Sequence, residues 1–453
     1  MRSAADVVIC GAGIAGIAAA YHLAVRQRVK RVVLIDERDP LTLTSDKGTQ
    51  GYRNWWPGPD DTMLRLVSRS IDLLEENAIE CANVFRLNRR GYLFATAEHA
   101  NIEKMQTMAR KVSAFGMGDV REHENLDDYR RAPGEGFVGH PTGADLLLGD
   151  AARVAFPYLT SNTVAALHIR RAGFVNAVAL GSWLLKRAHA AGASFVRDRV
   201  SGVRTEGGRV VAVTLASGDT IETERFVIAA GPALPDVARL LDIELPVRHE
   251  LHAKLTFRDP RRVVGRDAPF MLWMDPVKIT WSDDEFAELA KGEETRRLTE
   301  MLPSGVHARP VDLTHGDEVY LIWTYETENH PYVWPPTFSP HYGDVVLRGC
   351  AQMIPGLASY VRDGVRGLVD GGFYCKTAEN RPLVGPLPID GAYVCGALSG
   401  FGVMASHACG ELLSLHVADQ PLPDYAKWFL PSRYDDPEYC ALVEKWGPLS
   451  GQL

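Results

Sequence analysis

The feature that most constrains the fold of this chain is a glycine-rich turn close to its amino terminus. Gly11, Gly13 and Gly16 form the pattern G-A-G-I-A-G after the apolar run Val7 to Cys10, and an alanine-rich segment follows. An apolar run after a basic residue is also typical of an export signal. Asp6 and the glycines interrupt the continuous helix that such a signal needs, so the segment predicts a strand, a tight turn and a helix.

The spacing gives each glycine a separate task in a phosphate-binding turn. Gly11 allows the tight turn, Gly13 leaves the backbone open to a pyrophosphate, and Gly16 lets helix and strand pack closely. Phosphates bind the unpaired N–H groups and the positive dipole at such a helix start. A second apolar run, Arg31 to Ile35, ends at Asp36, whose carboxylate can accept hydrogen bonds from a ribose diol. The complete pattern predicts a Rossmann-type dinucleotide site.

Composition indicates an ordinary globular protein of about two or three structural units, because 453 residues exceed what a single core usually organises. The net charge of −8 provides no basic surface for nucleic acid, and no apolar stretch is long enough to span a bilayer. Seven scattered cysteines without a C-x-x-C pair predict reduced thiols and a cytoplasmic protein. His249, His252 and His407 lack neighbours at ligand spacing, so we expect no metal site.

A second glycine-rich turn near the carboxyl terminus indicates which dinucleotide is bound. The segment S-G-F-G-V-M, Ser399 to Met404, joins an apolar strand to an Ala/Gly-rich helix. Its N–H groups and helix dipole would stabilise the anionic ring of a reduced flavin, although the glycines could also serve helix packing alone. The chain contains one complete dinucleotide fingerprint, whereas a flavoprotein that uses NAD(P)H needs two. The residues therefore favour a flavin that takes electrons directly from a substrate.

Several segments resemble one known family: GAGIAGIAAAYHL with VVLIDE, RRAGFVNAVALGSWL, RFVIAAGP, TAENRPLVGPLP and YVCGALSGFGVMASHACGELL. The family comprises the FAD-dependent amine and amino-acid oxidoreductases, the group of D-amino acid oxidase, glycine oxidase, sarcosine oxidase and dimethylglycine dehydrogenase. The resemblance extends from Asp6 to about Ala418. It implies an α/β fold (α+β overall), with a Rossmann-type FAD-binding domain interleaved with an antiparallel-sheet substrate domain.

The resemblance also implies domain boundaries and cofactor contacts. The FAD-binding domain would comprise residues 1–90, 150–235 and 345–420, the substrate domain residues 91–149 and 236–344, and a packed C-terminal tail residues 421–453. Together with the fingerprint, the resemblance predicts that FAD contacts Gly11, Ala12, Gly13, Ile14, Ala15, Gly16, Asp36, Glu37, Ser45, Lys47, Gly48, Thr49, Val200, Ala230, Gly231, Gly400, Phe401, Gly402, Val403 and Met404.

Four residues are candidates for substrate binding or catalysis. Arg53 best matches the arginine that grips a substrate carboxylate in the family, although an arginine that pairs with an acid of its own loop is an equally good interpretation. Lys278, in MDPVKITW, corresponds to a lysine near the flavin that assists dioxygen, unless it is a solvated surface residue. Tyr325 and His330, in TYETENHPYVWPP, could hydrogen-bond the substrate or belong to an ordinary loop.

We expect the FAD to be bound noncovalently. Sarcosine oxidases of the family attach the flavin to a cysteine that precedes a threonine. Counting back from Thr377 assigns that position to Gly372, which has no nucleophile. Cys375 lies three residues further on, and strand alternation predicts that its side chain faces away from the flavin if Gly372 faces toward it.

These inferences predict oxidation of the C–N bond of a small amine or amino acid by hydride transfer to the flavin, giving an imine that water hydrolyses. The electrons then pass to dioxygen or to a carrier, which distinguishes an oxidase from a dehydrogenase. Oxidation of a 2-hydroxy acid, or a flavoprotein subunit without turnover, are the alternatives. The sequence leaves open the identity and stereochemistry of the substrate and the oligomeric state.

Overall fold

The computed structural model describes residues 2–311, 316–326 and 328–446 of the chain. The end of the predicted tail, residues 447–453, lies outside the described residues. The strands are β1 (Arg2–Ala4), β2 (Val7–Cys10), β3 (Val32–Asp36), β4 (Gly51–Arg53), β5 (Tyr92–Thr96), β6 (Val120–His123), β7 (Ala144–Leu148), β8 (Ala165–Ile169), β9 (Ala172–Phe174), β10 (Ser194–Arg197), β11 (Val200–Glu206), β12 (Arg209–Leu215), β13 (Thr220–Glu222), β14 (Phe226–Ile228), β15 (Arg248–Arg258), β16 (Phe270–Trp273), β17 (Val277–Lys278), β18 (Met301–Leu302), β19 (Val306–Pro310), β20 (Glu318–Trp323), β21 (Leu368–Lys376), β22 (Leu383–Pro386) and β23 (Ala392–Gly396).

The helices follow the amphipathic and alanine-rich segments of the sequence. They are α1 (Ile14–Tyr21), α2 (Thr44–Lys47), α3 (Thr62–Glu80), α4 (Ala100–Ala114), α5 (Asp150–Ala155), α6 (Ala177–Ala190), α7 (Leu234–Ala238), α8 (Asp283–Leu289), α9 (Tyr342–Met353), α10 (Ala358–Arg362), α11 (Gly402–Val417) and α12 (Pro437–Trp446).

A six-stranded sheet of order β10–β3–β2–β14–β23–β22 carries the glycine-rich turn. Its first five strands run parallel, and β22 pairs antiparallel with β23. Strand β2 is buried along its whole length, as expected of a parallel strand that is covered on both faces. Helix α1 packs against α6 and α11, and α11 packs against α3. The strand, turn and helix expected after Asp6 are therefore present.

A second sheet, which we call the roof sheet, has nine strands in the order β21–β15–β20–β19–β16–β5–β8–β7–β6. Its pairings are antiparallel except for β16 with β5 and β6 with β7. Leu255 and Phe257 of β15 join an apolar core with helix α9. Because side chains alternate along a strand, His252 and Lys254 face the opposite side, where His252 stacks on Tyr374 and Lys254 reaches the carbonyl oxygen of Lys47.

The two sheets confirm the predicted fold class, a Rossmann-type unit interleaved with a largely antiparallel one. Sheet membership also bears on the domain boundaries. Strand β8 belongs to the roof sheet although it falls in the segment 150–235, and β21 belongs to it although it falls in 345–420. Helix α9, most of which also falls in 345–420, packs on the roof sheet. We therefore propose that the FAD-binding domain resumes after Ile169 and again after Lys376.

The C-terminal tail packs against the loop between β21 and β22. Arg433 forms a buried ion pair with Glu379, with nitrogen and oxygen 2.6 Å apart. The hydroxyls of Tyr434 and Tyr439 also donate to that carboxylate. This network fixes the described end of the chain to the segment that follows the roof sheet.

Candidate active site

A cavity with about 970 Å³ of empty space, part of it open to solvent, lies where the glycine-rich turn, the start of α11 and strand β21 meet. The predicted cofactor residues that line it are Gly11, Gly13, Ile14, Ala15, Asp36, Ser45, Gly48, Ala230, Gly231, Gly400, Gly402 and Val403. The predicted residues that do not belong to its lining are Ala12, Gly16, Glu37, Lys47, Thr49, Val200, Phe401 and Met404.

Positions 13 and 16 of the fingerprint are occupied by glycine for different structural reasons. A Cβ at Gly16 would overlap the carbonyl oxygen of Gly11, so Gly16 is needed for the fold itself. A Cβ at Gly13 would meet only the Ser45 hydroxyl, 3.3 Å away, so nothing in the protein fold requires a glycine there. Gly13 lines the cavity at the start of α1, where backbone N–H groups and the helix dipole attract phosphate. The bare backbone at Gly13 therefore fits a bound pyrophosphate.

Polar side chains hold the turn in place from two directions. The Asp36 carboxylate accepts hydrogen bonds from the N–H groups of Ala12 (2.8 Å) and Arg38 (2.9 Å). The Ser45 hydroxyl accepts one from the N–H of Ile14, at 2.9 Å. Asp36 thus positions the turn and also lines the cavity, where its position fits the expected ribose contact.

The turn before α11 forms the other end of the cavity. Ala397 and Ser399 both have positive φ angles, of 54° and 47°, so the chain turns tightly before Gly400. The Ser399 hydroxyl is buried, and it has no hydrogen-bond partner among the described residues. A polar atom buried without a partner costs free energy unless a ligand satisfies it. This hydroxyl and the α11 start therefore fit a polar flavin edge.

The segment 44–50, which we call the cofactor loop, is fastened to the roof sheet by buried cations. Lys254 Nζ donates to the carbonyl oxygen of Lys47 at 2.8 Å, and Arg309 Nε donates to that of Thr49 at 2.8 Å. Arg309 is only 1% exposed, and burial lowers its pKa to about 10. Neither Lys254 nor Arg309 belongs to a sequence motif, so the sequence did not identify them as residues of the site.

An aromatic and cationic cluster lies on the cavity side of the roof sheet. The Arg53 guanidinium of β4 lies over the ring of Tyr92, 4.6 Å from its centre, and Tyr92 stacks on Phe270 at 4.6 Å. The His307 ring lies beside both aromatic rings. Burial, together with the Arg53 cation, lowers the pKa of His307 to about 4, so its imidazole is neutral at pH 7. Its Nδ1 lies 2.7 Å from the Gly305 carbonyl oxygen and donates to it, which leaves Nε2 as an acceptor.

A second group of roof-sheet side chains, around Tyr374 and His252, lies next to the cofactor cavity. Tyr374 lines the cavity, and its ring stacks on His252 with centres 3.9 Å apart. The two ring nitrogens of His252 bond Glu250 (3.0 Å) and Thr324 (2.9 Å), and Glu250 also pairs with Lys376. Because the carboxylate is an acceptor, His252 donates from Nε2 and accepts the threonine hydroxyl at Nδ1. The stack is therefore fixed in one orientation.

The predicted catalytic residues have different positions. Arg53 belongs to the cluster described above and lines neither cavity. Tyr325 and His330 line a separate cavity of about 520 Å³ beside His252. Lys278 is exposed in β17, where it pairs with Met301, and it lines neither cavity. This geometry gives no support to a role for Lys278 beside the flavin.

One edge of strand β21 runs along the cavity. This orientation changes the argument about covalent attachment of the flavin. Three consecutive residues, Phe373, Tyr374 and Cys375, line the cavity, so simple alternation does not decide which of them faces the flavin. Gly372 lies against the cofactor loop instead and is not part of the lining. Burial raises the pKa of the Cys375 thiol to about 12. A thiol that stays protonated is a poor nucleophile, so noncovalent binding stays our prediction.

Sequence reasoning missed much of the cavity wall. The missed lining residues are Asp39, Leu41, Thr42, Leu43, Gln50, Gly51, Ala229, Pro232, Phe373, Tyr374, Cys375, Gly396, Ala397 and Leu398. Most adjoin a recognised motif, and adjacency in the sequence could have found them. The β21 residues carry no motif signal of their own.

Two further properties bear on the chemistry. Within the described parts of the chain, no group of three or more His, Cys, Asp or Glu side chains is arranged to hold a metal ion. None of the helices in residues 2–311, 316–326 and 328–446 is long and apolar enough to cross a membrane.

Comparison with known proteins finds several solved structures with the same fold. The chain is similar over 94% of its length to iminodiacetate oxidase from Chelativorans sp. BNC1 (98% of that chain, 20% identity, TM-score 0.70). It is similar over 96% of its length to L-proline dehydrogenase from P. horikoshii (99% of that chain, 17% identity, TM-score 0.74). It is similar over 94% of its length to FAD-bound L-alpha-glycerophosphate oxidase from Mycoplasma pneumoniae (98% of that chain, 14% identity, TM-score 0.68).

These likenesses show a common fold, and a search of curated proteins finds no match. The model of one family, FAD dependent oxidoreductase (DAO), matches residues 6–415, which is most of the chain. The resemblance seen in the sequence is thereby confirmed. The protein belongs to the DAO family of FAD-dependent oxidoreductases, and its cofactor is FAD.

Proposed function

We propose that this enzyme oxidises the C–N bond of a small amino acid or related amine that carries a carboxylate. The observation that supports the proposal is the position of Arg53 on the roof side of the cofactor region, over Tyr92 and near His307. A guanidinium offers paired N–H donors that match the two oxygens of a carboxylate. Structural relatives whose names include amino-acid and amine substrates agree with this reaction class.

The polar groups around Arg53 are suited to bind a substrate amine without carrying charge themselves. Burial raises the pKa of Tyr92 to about 12 despite the opposing Arg53 cation, so its phenol stays protonated at pH 7. His307 is neutral and keeps its proton on Nδ1, so Nε2 can accept an N–H from the substrate. When bound, FAD supplies the acceptor for the hydride that leaves the substrate α-carbon. The protein's task is to orient that carbon and exclude water.

The product of this reaction is an imine, which water hydrolyses. The electrons then pass to dioxygen or to a carrier, and the exposed Lys278 does not supply a buried cation for dioxygen. Oxidation of a 2-hydroxy acid is the second candidate. It is favoured by the likeness to a glycerophosphate oxidase, whose name gives an alcohol as substrate.

Anaerobic reduction of the flavin tests the proposal directly. The holoenzyme is mixed with sarcosine, glycine, D- and L-amino acids and lactate, and bleaching of the flavin absorption is followed. We expect bleaching by at least one amine and none by lactate. Bleaching by lactate alone would establish the second candidate, and bleaching by no compound would contradict both.

A matched pair of variants tests the carboxylate contact. Arg53→Met removes the guanidinium but keeps much of the side-chain volume, and Arg258→Met makes the same change at an exposed position of the roof sheet. Each charge-assisted hydrogen bond contributes about 1.5–3 kcal/mol, so losing two raises the substrate Kd at least about 100-fold. We expect this effect for Arg53→Met alone. Equal affinities in both variants would leave Arg53 as a structural residue.

A further inference from the structure

The roof sheet buries one cation, Arg309 of β19, that has only neutral partners. Its guanidinium lies over the rings of Phe174 and Tyr320, 4.4 and 4.6 Å from their centres. It donates to the carbonyl oxygens of Thr49 and Pro310, at 2.8 Å each. Among the described residues, no carboxylate forms an ion pair or a hydrogen bond with it.

The charge of Arg309 is therefore buried without an opposite charge beside it. Taking an ion out of water is unfavourable unless other interactions compensate the loss of hydration. Burial lowers the pKa of Arg309 only to about 10, so the side chain remains a cation at pH 7. The second cation that fastens the cofactor loop, Lys254, differs because its ammonium lies 3.9 Å from the Asp370 carboxylate. The positive charge at Arg309 is left for an anionic ligand to balance.

The cofactor loop connects the two helix starts that bound the cofactor cavity. At its beginning, the Ser45 hydroxyl accepts the hydrogen bond from the Ile14 N–H at the start of α1. Strand β4 follows its end, and there the Arg53 N–H donates to the Met404 sulfur, at 3.2 Å, in the first turn of α11. The loop thus runs from the phosphate cradle to the helix start that fits the flavin edge.

Arg309 lies behind the second of these two ends. It is bonded to Thr49, and the next two residues, Gln50 and Gly51, line the cavity. It also lies over Phe174, whose backbone is paired with that of Gly51. The guanidinium itself does not belong to the lining. Its charge is therefore one layer of chain away from the cavity, on the side of α11.

FAD carries negative charge in two places, permanently on its pyrophosphate and on its ring only when the ring is reduced. Charges near the ring are one means by which a protein adjusts the potential of a flavin. We propose that Arg309 stabilises the reduced, anionic flavin ring across the cofactor loop and so raises the reduction potential of the bound FAD. Arg309 acts through space in this role and contacts neither substrate nor flavin.

The expected size of the effect follows from Coulomb's law. Two unit charges about 10 Å apart, at an effective dielectric constant of about 20, change an equilibrium constant by about tenfold. Removing the charge should therefore weaken the binding of reduced FAD about tenfold more than the binding of oxidised FAD. For a two-electron couple, this tenfold ratio lowers the reduction potential by about 30 mV.

Two substitutions at Arg309 separate its charge from its hydrogen bond to Thr49. Arg309→Met removes both, whereas Arg309→Lys removes the guanidinium and keeps the charge. Titration of the holoenzyme with dithionite, beside a redox dye, measures the potential without any substrate. We expect Arg309→Met to lower the potential by the amount given above and Arg309→Lys to retain the wild-type value. Arg258→Met, which removes an exposed charge from the same sheet, should also retain it.

The methionine variant should fold, because its loss leaves no carboxylate without a partner. Arg309→Gln, which is also neutral, is the second variant for the same measurement. An unchanged potential in both neutral variants would refute the proposal, since Arg309 would then only hold the loop or act on the pyrophosphate. An equal decrease in Arg309→Lys and Arg309→Met would refute it as well, because the lost hydrogen bond rather than the charge would be the cause. Because no substrate enters the titration, its result does not depend on whether the proposed oxidation is correct.

Discussion

Replacing Gly13 by alanine separates cofactor binding from folding more cleanly than any other change at the fingerprint. The added methyl group would meet only the Ser45 hydroxyl, at 3.3 Å, and the backbone of Gly13 is extended, with φ −75°. Alanine is a poorer residue than glycine before a helix, which costs about 1 kcal/mol or less. The apoprotein should therefore fold with nearly unchanged stability.

The cost to cofactor binding is expected to be much larger. A methyl group at Gly13 holds the pyrophosphate away from the N–H groups at the start of α1. Losing two charge-assisted hydrogen bonds at about 1.5–3 kcal/mol each amounts to about 3–6 kcal/mol. The Kd for FAD should rise about 10²- to 10⁴-fold, since 1.4 kcal/mol is about a factor of ten. Quenching of FAD fluorescence during titration of the apoprotein measures it.

Two other glycines serve as controls for this measurement. Gly202→Ala, in β11 outside the cavity, adds a methyl group in ordinary contact with Thr214, at 3.8 Å, and should change neither stability nor affinity. Gly16→Ala should impair folding itself, because its methyl group overlaps the Gly11 carbonyl. A folded Gly13→Ala protein that binds FAD as tightly as the wild type would refute the assignment of the phosphate cradle.

Four further outcomes are expected. Arg309→Met should raise the Kd for FAD about tenfold or more by releasing the cofactor loop, whereas Arg258→Met should not, as titration of the two apoproteins would reveal. Lys278→Met should leave reoxidation of the reduced flavin by dioxygen unchanged in stopped-flow traces, because the side chain is exposed; slowed reoxidation would restore its predicted role. Acid precipitation should release all the yellow colour into the supernatant, and colour retained on a peptide containing Cys375 would contradict noncovalent binding. Burial opposes ionisation of Glu250, but its imidazole and lysine partners hold its pKa at about 2, below the ordinary 4.5. The stability that its ionisation adds is complete above about pH 4.5 and is lost as pH falls toward 2. The difference in the free energy of unfolding between the wild type and Glu250→Gln, measured by urea unfolding, should therefore shrink in that range.

The local part of the site could be read from the sequence because a phosphate cradle is built from consecutive residues. The spacing of Gly11, Gly13 and Gly16 predicts the turn, and the apolar runs around it predict β2 and β3. The position of Asp36 at the end of the second strand predicts its contact with the ribose. Each of these properties depends on backbone conformation over a few residues, which residue type and spacing determine directly.

The roof of the site was decided only by the tertiary structure. Tyr92, His252, His307 and Tyr374 come from four strands that are far apart in the sequence, and sheet order alone brings them to one surface. No short pattern encodes which strands become neighbours. Lys278 illustrates the reverse case, because a short motif match suggested the flavin, whereas the pairing of β17 with β18 leaves that lysine in solvent.

The sequence by itself therefore determined the family, the cofactor and the cradle that holds the phosphates. The tertiary structure decided which cations are buried beside the cofactor loop, Lys254 and Arg309, and which rings stack beside the cofactor cavity, His252 and Tyr374. The physical reason is that cofactor recognition uses backbone groups of one continuous segment. Substrate recognition uses side chains whose proximity depends on the register of nonlocal strands.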